Sequence, residues 1–172
     1  MPTIRPVTPH DAQSLAQLAE ETFRATFGAM NTAENMALHC QTSYSEAIQA
    51  REIANPHMLT LLCEEDGRLI GFAQLHWGEA PPCVSATHPT EIQRLYLAQD
   101  WHGQGIAPML MNACLAEAQQ RGSDVVWLGV WEHNPRAISF YQKCGFVEVG
   151  DHVFPVGHDP QRDIVMVRPS MA

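Results

Sequence analysis

Two glycines one residue apart, where a strand runs into a helix, can bind an anion. In His102-Gly103-Gln104-Gly105-Ile106-Ala107 they follow the strand Glu91 to Ala98 (EIQRLYLA). They precede a helix in which Ile106, Leu110, Ala113, Cys114 and Ala118 recur at three- and four-residue steps. The first amides of such a helix lack intrahelical partners, and its dipole adds partial positive charge, so a pyrophosphate is attracted and bound there. Glycine at 103 and 105 lets the backbone approach the phosphates with no Cβ in the way. Pro108 fits the first helical turn, where a missing N–H costs nothing. Taken alone, the turn also reads as a plain strand-to-helix connection.

A second stretch changes the weighting. It runs Trp131-Glu132-His133-Asn134-Pro135-Arg136-Ala137-Ile138-Ser139-Phe140-Tyr141-Gln142-Lys143-Cys144-Gly145-Phe146. In order, the two stretches resemble the GCN5-related N-acetyltransferase (GNAT) superfamily. Its patterns are Gln/Arg-x-x-Gly-x-Gly/Ala after the fourth strand and Asn-x-x-Ala-x-x-Phe-Tyr-x-x-x-Gly-Phe further on. His102 departs from the family, standing where it usually has Gln or Arg. A narrower resemblance, to the bacterial spermine/spermidine N-acetyltransferase branch, is carried by Glu21 to Phe27, Asn31 to Met36, Glu91 to Tyr96 and Trp127 to Glu132.

The resemblance implies a fold and a set of roles. Residues 1–172 form one acetyltransferase domain of α/β (α+β) class, three-layered. Its mixed, mostly antiparallel sheet has about seven strands, splays between strands 4 and 5, and is flanked by helices. Acetyl-CoA lies in the splay as cosubstrate. Its pantetheine amides pair with Leu95, Tyr96 and Leu97, its pyrophosphate with His102, Gly103, Gln104, Gly105, Ile106 and Ala107, and Asn134 reaches the arm. Tyr141 matches the family tyrosine that protonates the leaving thiolate; the other reading of Tyr141 is an aromatic packed on the sheet beside Phe140. Glu91 matches a carboxylate near the acceptor nitrogen, a base acting directly or through a water; the other reading is an exposed strand-end charge. The implied reaction moves acetyl to a primary amine of a small cationic acceptor, a polyamine by preference. Protein, peptide or other small-amine acetylation, or acyl-CoA sensing without turnover, are the alternatives. The resemblance leaves room for a homodimer.

The positioning elements are legible around these motifs. Thr3 to Pro6 reads as an edge strand, since its prolines forbid a full ladder. Thr8 to Asp11 caps a helix from Ala12 to about Phe27, with Leu15, Leu18, Ala19, Thr22 and Phe23 on one face and Gly28 as its end. A helical piece from Thr32 to about Cys40, a break at Gln41 to Tyr44, and a short helix from Ser45 follow. The resemblance makes this region the acceptor wall, with Glu20, Glu21 and Glu34 as candidate or merely solvated charges. Strands Met58 to Glu64 and Leu69 to Trp77 flank an Asp-Gly turn. Gly78 to Pro89 reads as a surface loop. Gly122 stops the helix after the glycine turn, and the apolar run Asp124 to Val130 suits a central strand. Pro135 opens the last helix. Phe146 to Val149 and Ile164 to Arg168 are expected to close the sheet as a hairpin.

Composition narrows the partners. Lys and Arg number 10 against 19 Asp and Glu, a net charge of −9. That balance disfavours nucleic acid and attracts a cationic acceptor, although many soluble proteins are as acidic. No apolar run is long enough to span a bilayer, and the N-terminal residues lack a signal peptide's apolar core, so a cytoplasmic location is expected. Five scattered cysteines without a Cys-x-x-Cys argue for free thiols. Nine scattered histidines give no metal-ligand spacing, and no metal is expected.

Overall fold

The computed structural model describes residues 1–171. Near-continuous apolar runs, buried on both faces, in β2 (Met58–Glu65) and β3 (Arg68–Trp77) build a hairpin whose turn residues Asp66 and Gly67 take φ of 50° and 75°. Two consecutive left-handed residues match the twist of paired strands, which is why Asp-Gly serves here. β1 (Thr3–Pro6) pairs with the outer edge of β2, and β4 (Pro89–Leu97) with β3. β5 (Val125–Trp131) lies beside β4, and β7 (Asp159–Pro169) separates β5 from β6 (Val147–Val156). The sheet is therefore ordered β1-β2-β3-β4-β5-β7-β6, seven strands, with β4–β5 its parallel pair.

Helices cover both faces. α4 (Ile106–Gln120) and α5 (Pro135–Lys143) pack on one side, where Ile106, Leu110, Cys114 and Ala118 meet Ile70, Leu75, Ile92, Val126 and Leu128. On the other side lie α1 (Ala12–Phe27), α2 (Ala33–Ser43) and α3 (Glu46–Ala54), with Leu15, Leu18, Phe23 and Met36 against Leu62 and Phe72. The expected three-layer arrangement is thus present.

A bulge decides which β4 residues face which layer. Leu75 pairs with Ile92 and Gln74 with Arg94, so Gln93 is the extra residue. One inserted residue flips the period-2 alternation. Ile92, Leu95 and Leu97 consequently face α4 and α5, while Glu91, Arg94 and Tyr96 face α1–α3.

Three local expectations need correction. α2 does not break at Gln41 to Tyr44 but runs through Ser43. Its weak helix formers are overridden because Tyr44, 3% exposed, is drawn into the core against Phe23 and under Arg94. Gly28 does end α1, as expected, in ordinary helical geometry, and the chain continues as one tight turn to Met30. The segment Gly78 to Pro89 is more than surface loop: Val84 packs on Trp127 and Val165, roofing that part of the sheet. The final hairpin is much longer than Phe146 to Val149 plus Ile164 to Arg168. β6 is an edge strand whose outer residues are solvated and whose Pro155 pairs with Pro160, so it lacks a strand's usual apolar signature.

Candidate functional site

The site begins where two strands part. β4 and β5 pair only at Pro89–Val125, Thr90–Val126 and Glu91–Trp127. Beyond that fork β4 stays with β3 through Leu97, and β5 stays with β7 through Trp131. The facing edges diverge and open a cavity of about 1310 Å³. Buried backbone without partners is costly, so a ligand carrying amides gains by filling the gap.

One half of the cavity suits a long anionic thioester. Leu95, Tyr96 and Leu97 line it from β4 and Asn134, Phe140 and Tyr141 from α5. At its mouth Gly103 and Gly105 adopt φ of 77° and 80°, left-handed geometry that side-chain-bearing residues resist. The amides of Gly103, Gln104 and Gly105 donate to no protein acceptor among the described residues. Those of Ile106 and Ala107 belong to the first turn of α4, where helical amides have no partner of their own. This cradle fits a pyrophosphate. Arg136 and Lys143 add cations on the same side. Asn134 caps α5, its Oδ1 accepting from the Ala137 amide at 3.2 Å, which leaves its side-chain amide as a donor. His102 lines the mouth, but its Nε2 lies 3.0 Å from the Leu97 carbonyl, so its ring braces the turn against β4.

Tyr141 both packs and lines. Its ring stands 5.4 Å from Phe140 and 6.0 Å from Phe146, and no partner for its hydroxyl is found among the described residues. Burial, with Cys114 and Cys144 nearby, pushes the phenol well above its ordinary range, so it stays protonated. Such a group can only donate a proton.

The other half lies on the α1–α3 side. Thr22, Phe23, Thr26 and Phe27 reach it from α1, with Tyr96 and Trp131 from the sheet. The solvated reading holds for the acidic helix residues: Glu21 and Glu34 are exposed and Glu20 pairs with Arg24 at 2.8 Å, away from the cavity. Glu91 sits at the fork, its side chain 20% exposed, with His76 Nδ1 3.8 Å away. Burial raises its pKa to about 7, while His152 and then Arg94 pull it back down. A carboxyl poised there can take a proton from an amine near neutral pH. Arg94 is held by Glu52 at 2.8 Å and by Gln74 Oε1 at 2.5 Å, and Gln74 donates in turn to Gln49 and Thr60. This buried network fixes the floor of the site and largely neutralises the guanidinium.

The hairpin β6–β7 adds groups that sequence reasoning missed. His152, Phe154, Gln161 and Asp163 line the far wall. The sequence carried one signal for Asp163. It shares the inward face with Val165 and Val167, so a carboxylate occupies a position whose neighbours are apolar. No cluster of three or more His, Cys, Asp or Glu able to hold a metal occurs among the described residues.

Comparison with known proteins agrees with this geometry. A model of the acetyltransferase (GNAT) family matches residues 13–146. An uncharacterized N-acetyltransferase of Mycobacterium tuberculosis is 35% identical over 158 residues, 92% of this chain and 97% of that protein. Another, from the pepI 3′ region of Lactobacillus delbrueckii subsp. lactis, is 31% identical over 160 residues, 93% and 92% of the two chains. The crystal structure of the PaiA N-acetyltransferase from Thermoplasma acidophilum, in complex with coenzyme A, superposes with a TM-score of 0.79 at 23% identity, covering 98% and 99%. With its forked seven-strand sheet and its glycine cradle, the chain belongs to the acetyltransferase (GNAT) family and is an acetyl-CoA-dependent N-acetyltransferase.

Proposed function

We propose that the chain, as a single domain, transfers acetyl directly from acetyl-CoA to a primary amine of a small cationic acceptor, with a polyamine of the spermine/spermidine kind preferred. The observation that carries this reading is the segregation of charge along one cavity. Arg136 and Lys143 stand in the half that suits the anionic cosubstrate; Glu91 at the fork and Asp163 line the other half, where Arg94 is already paired with Glu52 and His152 lies beside Asp163. The net charge of −9 supports capture of a cation from solution. Phe27, Trp131 and Phe154 offer ring faces to an ammonium group or a methylene chain. The five free cysteines suit a reducing compartment such as the cytoplasm.

Acetyl-CoA supplies the activated thioester; the residues supply position and protons. Amides of 103 to 107 and backbone of Leu95 to Leu97 orient the cosubstrate along the fork. Glu91 takes the proton that makes the amine nucleophilic, directly or through a water; its position at the apex of the fork, on the α1–α3 face, supports this role. Tyr141, on the opposite side, gives its phenolic proton to the departing sulfur. A phenol is a weak acid, but burial that raises the phenol also raises the thiol, which keeps the transfer matched.

The test is thiol release from acetyl-CoA across spermine, spermidine, amino acids, aminoglycosides and short peptides. Turnover concentrated on the polyamines is the expected result. Turnover concentrated on peptides or amino acids overturns the acceptor assignment and leaves the acetyl transfer intact. Binding of acetyl-CoA with no turnover on any amine favours a sensor.

A further inference from the structure

Trp131, Asp163 and His152 are register partners across β5, β7 and β6, so their side chains share one face of the sheet. Glu91 and Trp127 are paired on that same face at the fork. The His152 ring stands edge-on to Trp127, 6.1 Å between centroids at 81°. His152 Nε2 is buried without a hydrogen-bond partner among the described residues and lies 3.8 Å from Asp163 Oδ2. Asp163 is 7% exposed. Gly129 makes the approach feasible: a Cβ there would stand 2.7 Å from His152 Nε2 and 3.1 Å from Asp163 Oδ2. His152 is half-buried, its side chain 30% exposed, but its inward Nε2 is shut off from water beside a buried carboxylate, which is costly unless the two share charge.

We propose that His152 and Asp163 are a positioning pair for Glu91: Asp163 keeps His152 cationic, and His152 in turn holds the Glu91 carboxylate ionised at the fork. This rests on the reading of Glu91 as the base that accepts the amine proton. Other charged and titratable groups also face Glu91. His76 reaches it from β3, its Nδ1 3.8 Å away and its side chain 36% exposed; Arg94 and Tyr96 share its strand; His39 and Tyr44 line the same cavity from the α2 side. Arg94 is already committed to Glu52 and Gln74. The electrostatics agree with the geometry. Among the charges that lower the Glu91 pKa, His152 comes before Arg94. His152 is itself pushed above the ordinary imidazole range, first by Asp163 and then, more weakly, by Glu91. Removing His152 therefore raises the Glu91 pKa further and starves the site of base at neutral pH.

The test compares pH profiles of kcat/KM, at saturating acetyl-CoA, for wild type, His152→Gln, Asp163→Asn, Glu91→Gln and the Glu91→Gln/His152→Gln double variant. The substrate's own ionisation is common to all. The acidic limb is expected to move up by about one pH unit in each of the first two variants, a roughly tenfold loss below the limb. At high pH their rates stay within about threefold of wild type. With Glu91 replaced the limb disappears, and adding His152→Gln shifts nothing. NMR titration of the wild-type imidazole is expected to place His152 above the usual ~6.5, and Asp163→Asn to lower it. A limb unmoved in His152→Gln but abolished in Glu91→Gln overturns the pair and spares Glu91 as base. A limb that persists in Glu91→Gln overturns the base, and the pair with it. A wild-type His152 midpoint at or below ~6.5 overturns the pair even if every variant misfolds.

Discussion

Glu91 shows how one residue trades stability for chemistry. Its folded-state pKa of about 7 lies above the ordinary carboxyl value, so folding favours the neutral form. The stability this contributes is fully present below the unfolded-state pKa and is lost as pH rises through about 7. Glu91→Gln, a neutral isostere, is therefore expected to match wild type near pH 4 and to exceed it at pH 8, by on the order of 1–3 kcal/mol. Thermal melts across that range check the sign: a gap that closes toward high pH would refute the burial argument. Tyr141 makes the opposite trade, because its ring is core and its hydroxyl is spare. Tyr141→Phe keeps the packing and removes the proton donor. We expect acetyl-CoA affinity within about threefold of wild type and kcat down by roughly 100-fold, the usual worth of a positioned acid. Calorimetric titration and steady-state rates separate the two. Equal kcat would return Tyr141 to a packing role.

Among the elements, the β6–β7 hairpin matters most for the acceptor. Its tip is latched to α2 and to the turn before it. The His158 amide donates to Asn35 Oδ1 at 3.0 Å, and Gln161 Nε2 donates to Asn31 Oδ1 at 2.6 Å. Gly157 at the tip has φ of 60°, and a Cβ there would stand 2.7 Å from Asn35 Cα and 2.9 Å from its carbonyl oxygen, backbone that cannot swing aside. Gly157→Ala is thus expected to cost about 2 kcal/mol from left-handed strain and overlap together. Because the hairpin carries Phe154, Gln161 and Asp163 into the acceptor half, the same change should raise the KM for the amine several-fold while acetyl-CoA binding on β4 and α4 is untouched. An unchanged amine KM in a destabilised variant would mean that the latch serves stability alone. This element was also the least legible in the sequence. Its pattern of exposed valines, prolines and charges reflects an edge strand with only one covered face, and such a strand gives no apolar run. The helices and the fork strand were legible because their burial imposes a period. The Gln93 bulge was not, since an inserted residue leaves the composition unchanged and shows only in the pairing.

For the whole molecule, the question is how charge is distributed around a single cavity. The sequence showed the net charge of −9 but not its placement. Asp163 reaches the cavity through two strand pairings far along the chain, and Glu52 spends its charge on Arg94 instead of on a substrate. The glycine turn and Tyr141 were legible because each is local: a turn fixes its own geometry, and a helix places residue 141 two turns from Asn134 on the same face. The acceptor half is assembled from α1, α2, β4, β5, β6 and β7, and no short window of sequence records such a convergence. A cavity built this way should respond to salt at one end more than at the other. If a polycation is drawn in by the general acidic field and by Glu91, raising ionic strength from 0.02 to 0.3 M should raise its KM by roughly tenfold, as the Debye length shrinks from about 20 Å to below 8 Å. A monoamine of similar size carries less charge through the same field and should change by only about twofold. The contrast between the two acceptors, measured at saturating acetyl-CoA, removes any salt effect on cosubstrate binding. Parallel responses would mean that the cavity recognises one amine and an apolar body, with the acidic surface serving solubility.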